Sequence, residues 1–238
     1  MARTKSAVFH FKQFSVAHDR CAMKVGTDGV LLGAWAQTQN VHHVLDIGTG
    51  SGVIALMMAQ RTSPLTRIDG IELNLADAQQ AQENVDQSPW KNKVKIIPTS
   101  IQDFSTDQRY DHIVSNPPFF DDSLPPANHR ATARHTQSLS FGTFLEKVNT
   151  LLSTDGRLSV ILPFQEGLEF MTLASTQHLY LSRKMAVYSK PGKKQERWLL
   201  EFTREPIIPE TAQLYIHQKT GEWSTDYQNL TRAFYLKF

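Results

Sequence analysis

Residues 116–119 of this chain read Asn-Pro-Pro-Phe, which brings a side-chain amide, two prolines and an aromatic ring together. The apolar stretch before them predicts a buried strand that ends at Ser115. Proline has no backbone N–H and a restricted φ, so the two prolines stiffen the exit from this strand and leave carbonyl oxygens free. The motif therefore presents Asn116 and Phe119 rigidly beside each other in a candidate site.

A second motif begins with the apolar run at residues 44–47 and breaks into glycines at alternate positions. These glycines are Gly48, Gly50 and Gly52, and the acid before them is Asp46. Glycine lets the backbone turn sharply and approach a ligand closely. A dinucleotide fingerprint would need its third glycine at Val53, and the lysine of a Walker loop is missing as well. The stretch predicts a strand, a ligand-binding turn and a helix over residues 53–59.

A further acid lies at the end of the next predicted strand, residues 67–72, which a predicted helix over residues 74–86 follows. In a doubly wound sheet this position reaches the carboxyl edge, where a carboxylate can accept hydrogen bonds from both ribose hydroxyls. Glu72 is therefore the expected ribose ligand. Asp69 is the competing acid, but it lies earlier in the strand.

The spacing D-x-G-x-G-x-G resembles the first motif of the class I S-adenosylmethionine-dependent methyltransferases. The resemblance implies a Rossmann-like α/β fold and S-adenosyl-L-methionine as cofactor, with its methionine part above the glycine turn. It therefore makes Asp46, Gly48, Gly50 and Gly52 candidate cofactor-binding residues. It also implies that Asp103, after a third strand at residues 93–98, binds the adenine amino group while Ile101 contacts the ring. Without the resemblance, Asp103 is equally well explained as a turn residue.

The Asn-Pro-Pro-Phe stretch resembles the motif of methyltransferases that act on planar amino groups, namely adenine, guanine or a glutamine amide. The resemblance implies that the Asn116 side-chain oxygen and the Pro117 backbone oxygen accept the two amino hydrogens. Asn116 is also a candidate contact with the cofactor. No strong base is needed, because the cofactor carries the activated electrophile and the protein supplies in-line placement. Phe119 is expected to stack on the base. In the resembled enzymes phenylalanine occurs at this position for adenine and guanine, whereas the glutamine-methylating relatives typically carry tyrosine, so the resemblance mildly favours a nucleobase.

The segment before the glycine turn, residues 23–35, predicts a helix that ends near Trp35, with Thr27 or Asp28 as its N-cap. In several amino-methylating families a segment of this kind closes over the cofactor. Lys24 and Thr27 are therefore candidate cofactor contacts. The alternative is a capped helix with a basic flank.

Three segments are rich in basic residues although the formal net charge of the 238-residue chain is only +2. They are residues 1–24, 123–137 and 183–197, and they could form one positive face or three separately solvated loops. The candidate contacts with RNA phosphates are Arg130, Arg134, His135, Lys190, Lys193, Lys194 and Arg197.

The order of these motifs, together with Lys-Val-Gly-Thr-Asp-Gly-Val-Leu-Leu-Gly before them and Lys-Pro-Gly-Lys after them, resembles the tRNA1(Val) adenine-N6 methyltransferases over nearly the whole chain. The resemblance implies methylation of the adenosine that follows the anticodon, with tRNA as partner. Two alternatives stay open: N2-guanine methylation of ribosomal RNA, which would use the same catalytic residues, and a non-catalytic RNA-binding scaffold.

Alternating strands and helices predict a mostly parallel, seven-stranded sheet with helices on both faces and a C-terminal antiparallel hairpin. We expect a single domain, residues 1–238, composed of a cofactor-covering segment (1–36), a catalytic core (37–205) and a C-terminal extension (206–238). A hydrophobic content of 40% is ample for a sizeable core. The single cysteine, Cys21, and the lack of a leader or long apolar run predict a cytoplasmic protein. No metal is expected, and we expect a monomer.

Overall fold

A computed structural model describes residues 7–117 and 139–238. It begins with two short strands, β1 (Val8–His10) and β2 (Ser15–Ala17), which pair antiparallel with Phe9 opposite Val16. Phe9, Phe11 and Phe14 alternate with polar residues here, a pattern that is typical of a strand or hairpin.

Eight further strands form one sheet. They are β3 (His43–Ile47), β4 (Arg67–Glu72), β5 (Val94–Pro98), β6 (Tyr110–Ser115), β7 (Leu152–Pro163), β8 (Tyr180–Tyr188), β9 (Gln195–Thr203) and β10 (Glu210–Tyr215). Their order is β10-β8-β9-β7-β6-β3-β4-β5. The helices of the described ranges are α1 (Thr27–Trp35), α2 (Val53–Arg61), α3 (Leu75–Asp86), α4 (Phe141–Leu151), α5 (Phe164–Thr176) and α6 (Thr225–Thr231).

Strand direction brings most strand ends to one edge of this sheet. Strands β3 to β7 run parallel, β9 is antiparallel to both β7 and β8, and β10 is parallel to β8. All strands except β9 therefore finish at the same edge, which we call the carboxyl edge. This is the edge at which open α/β sheets bind ligands.

The expected mostly parallel sheet and the β8–β9 hairpin are confirmed, but the sheet has eight strands and not seven. The eighth, β10, comes from the C-terminal extension. Its residues 210–213 are exposed and only Leu214 is buried, so the sequence has no apolar alternation from which a strand could be recognised.

Each sheet face packs against its own set of helices. Val44 and Val114 belong to a core shared with α1, α2, α3 and α6, whereas Leu45 and Ile113 belong to a core shared with α4 and α5. Neighbouring residues of one strand face opposite sides, so the apolar runs of β3 and β6 bury both faces. Helices on both faces were predicted, and the prediction is confirmed.

Helix α1 begins differently from the sequence prediction. Its N-cap is Gly26, without a side-chain capping hydrogen bond, and not Thr27 or Asp28. Asp28 lies in the first turn, where an acid interacts favourably with the helix dipole, and its carboxylate is bonded to another part of the chain.

Candidate functional site

The glycine turn joins β3 to α2 in a conformation that other residues adopt only at a cost. The φ angles of Gly48, Gly50 and Gly52 are 70°, 54° and 82°, all in the left-handed region. The backbone N–H groups of Gly48 and Thr49 both donate to the carbonyl of Ile71, at 2.9 and 3.0 Å. The turn is therefore fixed to the end of β4, and its path explains the alternating glycines.

Asp46 lies beneath this turn and is completely buried. Its Oδ2 accepts hydrogen bonds from the Thr49 hydroxyl at 2.6 Å and from the Ala55 N–H at 3.0 Å. Burial raises the pKa of Asp46 to about 7, against the effect of these two hydrogen bonds. Within the described ranges Oδ1 has no hydrogen-bond partner. Asp46 thus connects the turn to the first turn of α2 from below.

Glu72 connects the glycine turn to the start of α3. Its Oε2 accepts from the Gly50 N–H at 2.9 Å, and its Oε1 accepts from the Asn74 N–H at 2.8 Å. The competing acid, Asp69, accepts a hydrogen bond from the Tyr110 hydroxyl at 2.7 Å and does not line the cleft described next. Of the two acids, only Glu72 lies where a bound ligand could reach it.

A cleft of about 760 Å³ opens at the carboxyl edge, within the range of small-molecule sites. Its walls include the segment before α1 and the first turns of α1, the glycine turn with the start of α2, the ends of β4 and β5, the residues after β6, and the β8–β9 hairpin. The predicted site residues that line it are Lys24, Thr27, Gly48, Gly50, Glu72, Ile101, Asn116, Pro117 and Arg197.

Three predicted cofactor residues do not line the cleft. Asp46 lies beneath the turn, and Gly52, the last glycine of the turn, is the N-cap of α2. Asp103 is exposed, and its carboxylate accepts a hydrogen bond from the Ser100 hydroxyl at 2.7 Å, whereas the neighbouring Gln102 lines the cleft. The Asp103 side chain therefore takes part in the turn after β5, which was the alternative to cofactor binding in the sequence analysis.

The end of β6 brings the amide motif into the cleft. The Ser115 hydroxyl donates to the carbonyl of Ile47 at 2.8 Å and so connects β6 to β3 directly before Asn116. Asn116 is half-buried and Pro117 is buried, and both line the cleft. The third residue predicted to be catalytic, Phe119, lies outside the described residues.

The predicted RNA contacts separate into different environments. Lys190, Lys193 and Lys194 are exposed on the loop between β8 and β9. Arg197 is half-buried in the cleft wall, where its Nε donates to Asp28 Oδ2 at 2.9 Å. The other predicted contacts, Arg130, Arg134 and His135, lie outside the described residues.

The cleft also contains residues that the sequence analysis did not identify. Val187 at the end of β8, Ile216 just after β10, and Asp28 contribute to its walls. For Asp28, the only indication in the sequence was its position at the start of the predicted helix. Nothing local in the sequence places Val187 or Ile216 near the glycine turn, because their proximity follows from the pairing of distant strands.

Among residues 7–117 and 139–238, no helix is both long and apolar enough to cross a membrane. The same residues contain no group of three histidine, cysteine or acidic side chains that could hold a metal ion.

The sequence of this chain is similar to those of known proteins. Residues 23–176 match the methyltransferase small domain. The chain is 44% identical to a tRNA1(Val) (adenine(37)-N6)-methyltransferase of Bacteroides thetaiotaomicron, over 96% of this chain and 97% of that protein. It is 45% identical to the protein of the same name in Yersinia pseudotuberculosis, over 97% of this chain and 92% of that protein.

Solved structures show the same fold at low sequence identity. A protein described as a predicted O-methyltransferase from Agrobacterium tumefaciens aligns with a TM-score of 0.67 and 16% identity, covering 87% of this chain and 96% of that one. The glycopeptide N-methyltransferase MtfA, solved with S-adenosylmethionine, aligns with a TM-score of 0.56 and 10% identity, covering 76% and 100%. The fold is that of the class I methyltransferases. On identity and coverage together, this chain belongs to the family of the tRNA1(Val) (adenine(37)-N6)-methyltransferases.

Proposed function

We propose that this protein transfers a methyl group from S-adenosyl-L-methionine to the N6 amino group of adenosine in tRNA, at adenosine 37 of tRNA1(Val). The observation that carries this proposal is the identity of about 44% to enzymes of that name over nearly the whole chain. The carboxyl-edge cleft supports it, since the glycine turn and the Asn116–Pro117 exit form parts of the same cavity.

The cleft fits S-adenosyl-L-methionine in size and in the groups along its walls. Glu72 offers carboxylate oxygens for ribose hydroxyls, and Ile101 offers an apolar surface for the adenine ring. Gly48 and Gly50 allow close approach, since no atom lies within 4 Å of where a Cβ would stand. Lys24 precedes α1 and Thr27 is its first residue, and both line the cleft, where they can contact the methionine part.

Asp46 and Gly52 serve the same cofactor indirectly in this proposal. Asp46 holds the turn from beneath by its hydrogen bonds with Thr49 and Ala55, and Gly52 ends the turn as the left-handed N-cap of α2. Asp103 is left with its turn role, and Gln102 takes the place at the adenine end of the cleft.

The acceptor chemistry rests on the end of β6. The Asn116 side-chain oxygen and the Pro117 carbonyl would accept the two hydrogens of the adenine amino group and turn its lone pair toward the methyl donor. S-adenosyl-L-methionine supplies an activated methyl group, so placement and electrostatics suffice without a strong base. Stacking by Phe119 on the base remains a prediction from the sequence.

The exposed lysines of the β8–β9 loop are proposed to contact tRNA phosphates. Three of the six residues from 189 to 194 are lysines, and none is an acid. Arg197 is assigned instead to the cleft wall, because Asp28 already binds its guanidinium.

We further propose that the whole chain acts as one domain, since β10 of the C-terminal extension pairs with β8 along its full length.

The test is to incubate the protein with labelled S-adenosyl-L-methionine and unmodified total tRNA or ribosomal RNA, and to identify the product nucleoside by mass spectrometry. The proposal expects N6-methyladenosine at position 37 of tRNA1(Val). A product of N2-methylguanosine in ribosomal RNA would favour the guanine alternative. Cofactor binding without any methylated nucleoside would contradict the proposed activity altogether.

A further inference from the structure

Two tyrosines stack on each other at the carboxyl edge, outside the cleft. Tyr188 and Tyr215 are the last residues of β8 and β10 and lie opposite each other in the parallel register. Their ring centroids are 5.1 Å apart at an interplanar angle of 28°, and both residues are half-buried. Each ring therefore keeps part of its surface accessible. We call these two residues the edge aromatic pair.

The sheet face that carries the edge aromatic pair has further groups of the same kind. Lys184 and Ala186 precede Tyr188 at alternate positions of β8 and share its face. Trp198 lies opposite Ala186 on β9, with the Lys184 ammonium 5.6 Å from its ring centroid. On β10, residues 210–213 are exposed. Trp198 stacks on Phe164 of α5 at 6.1 Å, so this face is covered at β9. It opens only toward the edge strand β10, where the edge aromatic pair lies.

Positive charge continues directly from this face. The loop that follows Tyr188 carries Lys190, Lys193 and Lys194, all exposed. The His217 N–H donates to the Ser189 carbonyl at 2.9 Å, so the segment after β10 holds the start of this loop. The nearest acid in the sequence, Glu196, lines the cleft and not the loop.

Strand register relates the edge aromatic pair to the end of β6. Ser115 lies opposite Val160, Val160 opposite Leu200, and Leu200 opposite Lys184. Tyr188 therefore lies about two residues further outward than Pro117, or about 7 Å at the rise of a strand. Three strand spacings separate β6 from β8, about 14 Å across the sheet. A polynucleotide can span this separation with a few nucleotides.

From this arrangement we propose that the edge aromatic pair stacks on an unpaired base of the RNA substrate that neighbours the target nucleotide, while Lys190, Lys193 and Lys194 bind the adjoining phosphates. The inference rests on the proposed function and extends it to the C-terminal extension, which supplies Tyr215. Aromatic rings beside a basic loop are the combination that binds single-stranded nucleic acid without reading its sequence.

The test separates stacking from packing by the choice of substitution. Tyr188→Leu/Tyr215→Leu keeps apolar bulk but removes both π faces, whereas Tyr188→Phe/Tyr215→Phe keeps the faces and removes only the hydroxyls. We expect the double leucine variant to bind unmodified tRNA at least tenfold more weakly in a filter-binding assay. The double phenylalanine variant should bind within twofold of the wild type.

Tyr180→Leu is the matched control, because Tyr180 lies on the same strand at the opposite edge of the sheet. It should leave tRNA affinity unchanged. Affinity for S-adenosyl-L-methionine, measured by calorimetry, and the melting temperature should be unchanged in all three variants. These readouts separate loss of the RNA surface from unfolding or from damage to the cleft.

The proposal is overturned if the double leucine variant binds tRNA as tightly as the wild type. It is also overturned if phenylalanine weakens binding as much as leucine, or if the Tyr180 control weakens it equally. A wild-type protein that binds tRNA but methylates none of it would contradict the proposed function alone, and the binding comparison would still decide the role of the tyrosines.

Discussion

Arg197 on β9 donates a hydrogen bond to Asp28 in the first turn of α1, with 2.9 Å between Nε and Oδ2. Both residues line the cleft, and their side chains are 30% and 27% exposed. The ion pair therefore joins the segment before the glycine turn to the C-terminal hairpin. The residue that the sequence suggested as an RNA contact is part of the cleft wall.

Breaking this ion pair should loosen the wall that carries Lys24 and Thr27. Because the pair is partly exposed, we expect its loss to weaken the free energy of S-adenosyl-L-methionine binding by about 1 kcal/mol at most, which corresponds to a few-fold in affinity. Calorimetry on Asp28→Asn, Arg197→Gln and the double variant checks this, and the double variant should lose no more than either single one. Arg20→Gln, which breaks the Arg20–Glu83 pair away from the cleft, is the control. Additive losses would argue against a shared role.

Asn116→Ala should keep cofactor binding and remove turnover, because the amide lies at the end of β6 and not in the glycine turn. Asn116→Asp retains an acceptor oxygen at the same place and should retain part of the activity. Calorimetry with S-adenosyl-L-methionine and single-turnover methylation of tRNA measure the two effects separately. A loss of cofactor affinity equal to the loss of rate would contradict an acceptor role for Asn116.

Gly50→Ala should weaken both stability and cofactor binding. The left-handed φ of 54° costs a residue with a Cβ about 1–2 kcal/mol, and the added methyl group would intrude into the cleft. Chemical denaturation and calorimetry measure the two effects. Gly142→Ala in the first turn of α4 is the control, since its new Cβ would lie 3.7 Å from the nearest atom and alanine favours a helix. Equal destabilisation by both substitutions would contradict this explanation of the turn.

Two buried groups should make the stability of the protein depend on pH, with opposite signs. Burial lowers the pKa of His112 to about 3, and the nearby Arg157, Arg61 and Arg183 contribute to this shift. The folded state then binds fewer protons than the unfolded state between about pH 3 and 6.5, so His112 makes the protein less stable as the pH falls. Asp46, with its raised pKa of about 7, makes it more stable as the pH falls from 7 toward 4.

The two contributions can be separated by substitution and urea denaturation at pH 5 and pH 7. Each amounts to about 2 kcal/mol over this interval. In Asp46→Asn, the free energy of unfolding at pH 7 should rise relative to that at pH 5 when compared with the wild type. In His112→Gln, the free energy of unfolding at pH 5 should rise relative to that at pH 7. Identical pH profiles in both variants and the wild type would contradict the inferred protonation of these groups.

Lys193→Glu/Lys194→Glu should weaken tRNA binding and flatten its salt dependence. Each lost phosphate contact lowers the slope of log affinity against log salt by about 0.7–0.9. Binding measured across a series of salt concentrations gives this slope. Lys95→Glu on β5, at the opposite end of the sheet order, is exposed and should leave the slope unchanged. An unchanged slope in the double variant would make the loop an ordinary solvated surface.

Sequence was most informative where local chemistry determines structure. Alternating glycines dictated the turn, and the apolar runs dictated β3 and β6, because backbone conformation and burial leave few alternatives there. The acid at the end of β4 followed from the topology of the sheet. In each of these cases a short stretch contains the whole physical reason for its conformation.

Sequence was less informative where partners are distant. Asp28 was predicted as a possible N-cap, but its carboxylate is bonded to Arg197, far along the chain. Asp103 is held by a hydroxyl only three residues away, and composition alone cannot decide between that bond and a ligand. Strand β10 has one buried residue, so its existence depends on the exposed edge of β8 and not on a pattern of its own.

The order in which this chain is synthesised bears on when its cleft is complete. Phe11 of the N-terminal hairpin forms a bridge with Tyr235, and the Lys12 ammonium donates to the carbonyl of Arg232. The segment around Phe11 and Lys12 therefore gains these partners only after residues 232–235 have left the ribosome. Since that segment leads directly into the wall formed by Lys24 and Thr27, a nascent chain can build the central sheet early but finishes its ligand-binding cleft late.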